Sequence, residues 1–360
     1  MGANPFLGVI LCWLGGLAAA SFYLPFRKVR RWSWETYWLA AGVVSWIAAP
    51  WLFAGLLSND LLGVLHGVPT STIFWTYLFG VLWGVGGLTF GLALRYLGIS
   101  LGIAVAMGNC AVFGTLVPPI FHGQFGQLLA QRSGQVTLLG VAVCALGILL
   151  AGAAGISKEK ELSAEQKKAS VREFNLKLGL AVGIFAGVMS ACFAFGLDAG
   201  NPMKAYAVAH GTSALWQGLP VLVVVLAGGF TTNFVWCAIL NLRNRSYGEY
   251  LQVPAGEATA EGEPKKPSLF GNYFFSGLAG AIWYFQFFFY TMGESQMGHY
   301  KFSSWTLLMA STIIFSTLLG IAVKEWHGVS ARTKALLTLT LLTLIGATVI
   351  VGYGNYIALQ

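Results

Sequence analysis

The sequence predicts an all-α polytopic membrane protein: ten transmembrane helices arranged as an inverted five-plus-five repeat, with both termini extracytoplasmic. Three observations carry this expectation. Of 360 residues, 56% are hydrophobic and only 9% charged, with a mean hydropathy of +0.70. A soluble domain is about one quarter charged, so this chain cannot coat a water-facing surface, and soluble enzymes, disordered chains and disulfide scaffolds are excluded. The apolar residues form ten runs near the ~20 residues that cross the hydrocarbon layer, and Lys and Arg gather in alternate connections.

The first run, 4–26, is read as a retained helix, because its basic cluster follows it and no basic leader precedes it. That cluster (Arg27, Lys28, Arg30, Arg31) separates it from 36–57. Runs 72–94 and 99–121 flank Arg95, and 137–155 leads into a polar stretch, 156–175. Next come 176–197 and 212–241. The latter is long and contains Gly228-Gly229, but splitting it would move the basic residues of 242–270 and 324–334 outside, so one tilted helix is expected. The polar segment 245–268, with Pro254, Pro264 and Pro267, reads as a flexible loop before 271–293, 303–323 and 335–354. Residues 1–155 thus form a first five-helix repeat, 156–175 a cytoplasmic linker and 176–360 a second repeat.

Positive charge gives the orientation. The connections after spans 1, 3, 5, 7 and 9 hold 18 Lys and Arg, and the opposite set holds Arg132, Lys204 and Lys301. The basic side is cytoplasmic. This distribution accounts for the net charge of +8, which in a soluble chain would suggest nucleic acid; no such partner is expected here. Cys12, Cys110, Cys144, Cys192 and Cys237 stand singly in apolar runs as small apolar filler. His66, His122, His210, His299 and His327 lie in loops or at helix ends, none at metal spacing. Trp32, Trp34, Tyr37 and Trp38 read as an interface belt.

The two halves echo each other. Gly80-Val-Leu-Trp83 matches Gly280-Ala-Ile-Trp283 at an offset of 200. Met107, Phe113, Thr115 and Leu116 match Met309, Phe315, Thr317 and Leu318 at 202, and Gly16, Ala20 and Phe22 match Gly187, Ala191 and Phe193 at 171. These matches pair spans 1 with 6, 3 with 8 and 4 with 9. Because five is odd, the second half is inverted, the architecture of alternating access with a site near the midplane. Gly80/Gly84, Gly87/Gly91, Gly98/Gly102 and Gly183/Gly187 are small-xxx-small pairs suited to close helix approach.

The stretch Phe22-Tyr23-Leu24-Pro25-Phe26-Arg27-Lys28-Val29-Arg30-Arg31-Trp32-Ser33-Trp34-Glu35-Thr36 resembles the bacterial L-rhamnose–proton symporter family, within the drug/metabolite transporter superfamily. Further matches are Arg95-Tyr96-Leu97-Gly98, Glu173-Phe174-Asn175-Leu176, Trp283-Tyr284 with Gln286-Phe287-Phe288-Phe289-Tyr290, Ser304-Trp305, and Lys324-Glu325-Trp326. The resemblance covers nearly the whole chain and implies a multi-pass protein of the cell inner membrane that imports L-rhamnose with protons. Asp198 stands where the family often has an amide.

A sugar site needs a few hydrogen-bonding groups among aromatic faces, and a 6-deoxy sugar adds a methyl group that favours an apolar wall. The repeats offer Trp83, Trp283 and Gln286, then Asn109 aligned with Ser311, and Tyr290 closing the Gln286 motif. Gln286 is the most informative, because a primary amide among aromatics is costly in lipid without a partner. No Asp or Glu lies at the centre of any span, so the proton-coupling candidates stand near helix ends: Glu35, Asp198 and Glu325, with Glu294 a further carboxylate there. No metal or organic cofactor is expected, and the coupling ion is the proton. The competing reading is a metabolite or drug exporter on the same scaffold. A membrane enzyme or sensor is disfavoured: no metal-hydrolase, phosphate-loop or nucleophile motif occurs, and no output domain is present.

Overall fold

A computed structural model describes residues 3–161, 175–253 and 268–360. Positions 162–174 of the expected linker and 254–267 of the expected loop lie outside the described residues, as do Glu173 and Phe174 of the family motif. Among the described residues the chain forms ten long helices: α1 (Pro5–Ser21), α2 (Trp34–Leu57), α3 (Thr70–Leu97), α4 (Ile99–Phe121), α5 (Arg132–Glu161), α6 (Leu176–Ala199), α7 (Leu219–Asn244), α8 (Leu269–Ser295), α9 (Ser303–Ala322) and α10 (Ala331–Ile357). Nine helical stretches, matching all of these but α8, are long and apolar enough to cross a membrane, which makes the chain a multi-pass helical membrane protein. At 27 residues α8 is equally long, but Asn272, Tyr273, Tyr284, Gln286 and Tyr290 make it more polar.

Local chemistry explains the helix ends. Asn4 accepts a hydrogen bond from the Leu7 N–H ahead of Pro5, and Asn175, Ser268 and Ser330 cap α6, α8 and α10 in the same way. Gly98, at φ +82°, is the single residue between α3 and α4, a conformation costly for any residue with a Cβ. Inside α2, residues Val43–Ala48 form a π-helical turn just before Pro50. Proline cannot sit in an unbroken α-helical ladder, and the wider turn absorbs it while re-aiming Trp46 inward.

The expected single helix 212–241 is corrected. It begins at Leu219, with Pro220 in its first turn, and residues Asn201–Ala209 and Ala214–Trp216 form separate short helices before it. Gly228-Gly229 does not break it, because these residues serve packing: a Cβ on Gly228 would strike the backbone of α3 at Tyr77 and Val81.

Packing follows a small set of pairings. Helix α1 lies against α8 and α9, and α6 lies against α3 and α4. Helix α3 packs on α7, α2 on α8, α4 on α9, and α5 on α10. Glycines permit the closest approaches: Gly80 faces the Val225 carbonyl, Gly280 the Ala41 carbonyl, Gly16 Ser311, and Gly187 Asn109. The pair Gly87/Gly91 is a correction, since both positions face open space and pack against nothing.

Candidate functional site

A cavity of about 380 Å³ occupies the centre of the bundle, within the ~300–1,000 Å³ range of small-molecule sites. Its walls come from α1, α2, α3, α4, α6, α7, α8 and α9, and are chiefly indole. Trp283 lies edge-on to Trp38 with ring centroids 5.0 Å apart and to Trp46 at 5.8 Å. Trp46 meets Trp83 edge-on at 6.1 Å, Trp83 leans on Phe193 at 5.1 Å, and Phe193 stacks on Trp305 at 5.8 Å. The result is a continuous aromatic surface with ring faces and edges both presented.

Polar groups on this wall are few. Among the described residues the Gln286 amide has no hydrogen-bond partner, although the residue lines the cavity. Asn233 accepts from the Trp38 indole N–H at 3.1 Å and donates to the Gly229 carbonyl at 2.9 Å. Trp305 donates to the Cys110 carbonyl at 3.1 Å. The indole nitrogens of Trp46 and Trp283 and the hydroxyl of Ser45 are buried with no partner among the described residues, and all three residues border a separate small space that shares Trp38, Trp46 and Trp283 with the cavity. Ser190 and Thr312 complete the polar lining. Unpaired donors beside an apolar wall suit a ligand that brings its own hydroxyls.

The cavity reaches toward Tyr23 and Trp34, both exposed, at the end where Arg27, Lys28, Arg30 and Arg31 lie. At its other end Phe193, Phe287, Trp305 and Tyr290 are buried together.

Three of the six expected binding residues, Trp83, Trp283 and Gln286, meet at this cavity. The other three stand elsewhere. The Asn109 amide donates to its own helix at the Val105 carbonyl, 2.8 Å away. Ser311 is fully buried and donates to the Cys12 carbonyl at 3.1 Å, tying α9 to α1. Tyr290 is buried one turn beyond Gln286, accepts from Ser304 at 3.3 Å and borders a smaller space of about 70 Å³. The interface-belt reading of the early aromatics is corrected. Trp34 and Trp38 line the cavity, while Trp32 is buried against Tyr273 and Tyr37 lies against Phe26. The connection after α1 folds across α8, with Phe22 on Trp283 at 4.0 Å and the Arg30 N–H donating to Asn272 at 3.0 Å, and this turns the α2 aromatics inward. Sequence periodicity missed Trp38 for this reason; Trp46, Asn233 and Trp305 were missed because helix rotation and distant partners, which leave no periodic signal, bring them to the cavity.

No expected coupling carboxylate lines the cavity. Glu35 is buried at the basic end, accepting from Asn244 at 2.9 Å and Ser246 at 2.7 Å. Asn241 extends this cap by donating to Tyr250 at 3.1 Å, and burial pushes the Tyr250 phenol up to about 12. Asp198 pairs with His122 at 2.7 Å near the opposite surface, and Glu325 is exposed after α9. Glu294, a carboxylate near a helix end, and Lys204, a basic residue of the opposite set of connections, stand far apart in sequence. They form a buried ion pair, Lys204 Nζ lying 2.8 and 3.0 Å from the two Glu294 oxygens.

A family model described as L-rhamnose-proton symport protein (RhaT) matches residues 1–357. The chain belongs to this family. It is 37% identical over 349 residues to the L-rhamnose-proton symporter of Cronobacter sakazakii, and 38% identical over 351 residues to that of Yersinia pestis, with 97% of each chain covered in both cases. The symporter of Klebsiella pneumoniae is 37% identical over 349 residues, again with 97% of each chain covered. Membership of the RhaT family makes this protein a transporter and no enzyme, and nothing in the family or these relatives supports the exporter reading.

Proposed function

We propose that the chain imports L-rhamnose together with protons across the cell inner membrane by alternating access, and that the sugar sits in the tryptophan cavity. The observation that carries this is the Gln286 amide, unpartnered among the described residues on a wall of indoles. An uncharged amide and free indole N–H groups answer sugar hydroxyls, while ring faces cover C–H surfaces and the 6-methyl group. Names of the relatives supply the substrate and the proton.

Alternating access rests on an inverted repeat of ten spans, α8 included. Exchanging each helix for the one five places on turns the observed pairings into one another: α1 on α8 becomes α6 on α3, α1 on α9 becomes α6 on α4, and α3 on α7 becomes α8 on α2. Individual residues follow the same exchange. Gly16 against Ser311 becomes Gly187 against Asn109, and Gly80 against α7 becomes Gly280 against α2. Those are the offsets of 171, 202 and 200 found in the sequence. With the basic connections cytoplasmic and both termini outside, the cavity opens inward in this conformation.

The test is uptake of labelled L-rhamnose into vesicles holding the purified chain, with and without an imposed inward proton gradient. Accumulation only with the gradient is expected; equilibration unaffected by the gradient would rule out proton coupling.

A further inference from the structure

We propose that a membrane phospholipid with a primary-ammonium headgroup, the chemistry of phosphatidylethanolamine, occupies a groove between α3, α4 and α6 at the end of the bundle away from the basic connections. This site is separate from the tryptophan cavity and does not depend on which solute is carried.

The groove measures about 680 Å³, more than the cavity at the centre of the bundle. Gly98 joins α3 to α4 at the basic end, and both helices pack on α6. The groove lies between their other ends, with α6 contributing its final turns. Each helix carries a residue at the mouth and an apolar one about a turn deeper on the same face: Trp75 and then Phe79 on α3, Phe121 and then Val117 on α4, Asp198 and then Phe195 on α6. Trp75 is 50% exposed and Phe121 82%, as aromatic side chains are where a helix leaves the hydrocarbon layer. A groove that is polar at the interface and apolar below it matches an amphiphile lying along the helices. A sugar would find no hydroxyl partners past the mouth.

The mouth selects the headgroup. Asp198 lies 2.7 Å from the His122 ring nitrogen and accepts from Asn201 at 2.9 Å, while its side chain keeps 27% of its surface open. A carboxylate offers about four lone-pair positions, so two contacts leave room for an ammonium. Neither Lys nor Arg lines the groove; Lys301 borders the adjoining 70 Å³ space instead. A primary ammonium can donate charge-assisted hydrogen bonds to Asp198, which a quaternary ammonium cannot, and an anionic headgroup would be repelled. The imidazole of His122 stands beside the carboxylate, within reach of the phosphate of the same zwitterionic headgroup.

The test uses full-length protein in phosphatidylcholine nanodiscs, free of sugar, with a phosphatidylethanolamine that carries a photoreactive diazirine midway along one acyl chain. Peptide mass spectrometry locates the adducts. Those around Phe79, Val117 and Phe195 should exceed, several-fold, those at Leu146 and Leu149, which are exposed on α5 and report ordinary contact with bulk lipid. Excess unlabelled phosphatidylethanolamine should compete for the groove, and phosphatidylglycerol should not. Asp198→Asn should bring groove adducts down to the α5 level, and Ser71→Trp, which fills the mouth from an exposed position, should do the same. The α5 adducts should persist in both variants, which separates loss of the site from loss of the fold. Equal labelling of groove and α5 in the parent would overturn the proposal, as would equal competition by phosphatidylglycerol or groove adducts that survive Asp198→Asn. A dimer whose groove is closed to the lipid would overturn it too, assigning the groove to a second copy of the chain.

Discussion

The indole N–H of Trp38 donates to Oδ1 of Asn233 across 3.1 Å, joining α2 to α7 over 195 positions of sequence. The bond fixes the plane of one cavity wall, because Trp38 packs edge-on against Trp283 and is stacked by Trp34 at 5.3 Å.

Replacing Asn233 by Leu should therefore cost about 1–3 kcal/mol of stability, the penalty for a buried donor left without its acceptor. Sugar affinity should fall as well, since the Trp38 ring loses its tether. Thermal unfolding of purified protein with and without L-rhamnose measures both effects, through the extra stability a ligand confers on the native state.

Gln286→Ala removes the one amide on the wall that has no partner among the described residues. The variant should insert and fold, and uptake at low sugar concentration should drop by at least about tenfold, the equivalent of ~1.4 kcal/mol of lost hydrogen bonding. Vesicle uptake normalised to inserted protein gives the number. Wild-type uptake would remove Gln286 from the site.

Glu35 sits in a closed cap with Asn244 and Ser246, apart from the cavity lining. Glu35→Gln keeps one acceptor oxygen and should still accumulate sugar against a gradient. Glu35→Leu removes the oxygen that Asn244 and Ser246 share; Ser246 keeps Asn241 at 3.0 Å and Asn244 is exposed, so stability should fall by only about 1 kcal/mol, the worth of an ordinary hydrogen bond. Comparing accumulation with melting temperature separates a structural cap from a coupling role.

Glycine substitutions divide the bundle into close and open contacts. Gly80→Ala and Gly280→Ala drive a methyl group into a facing carbonyl and should disrupt folding of the α3–α7 and α8–α2 pairs. Gly91→Ala meets nothing within 4 Å and should be neutral or slightly stabilising, since Ala is the better helix former by about 1 kcal/mol. Yields of monodisperse protein after extraction in detergent report the difference.

The ten helices and the basic asymmetry were legible in the residues because lipid demands length and apolarity locally, within each span. The offsets relating Gly16 to Gly187 and Gly80 to Gly280 were equally visible, since close backbone approach requires glycine whatever surrounds it. Trp83, Trp283 and Gln286 stood out as polar or bulky groups at mid-helix. Tertiary structure alone decided which side chains share one space. The π-helical turn ahead of Pro50 swung Trp46 inward, the fold-back of residues 22–33 over α8 turned Trp38 inward, and Lys204 met Glu294 across 90 positions. Those outcomes depend on helix rotation and on distant partners, and neither leaves a periodic trace in the chain.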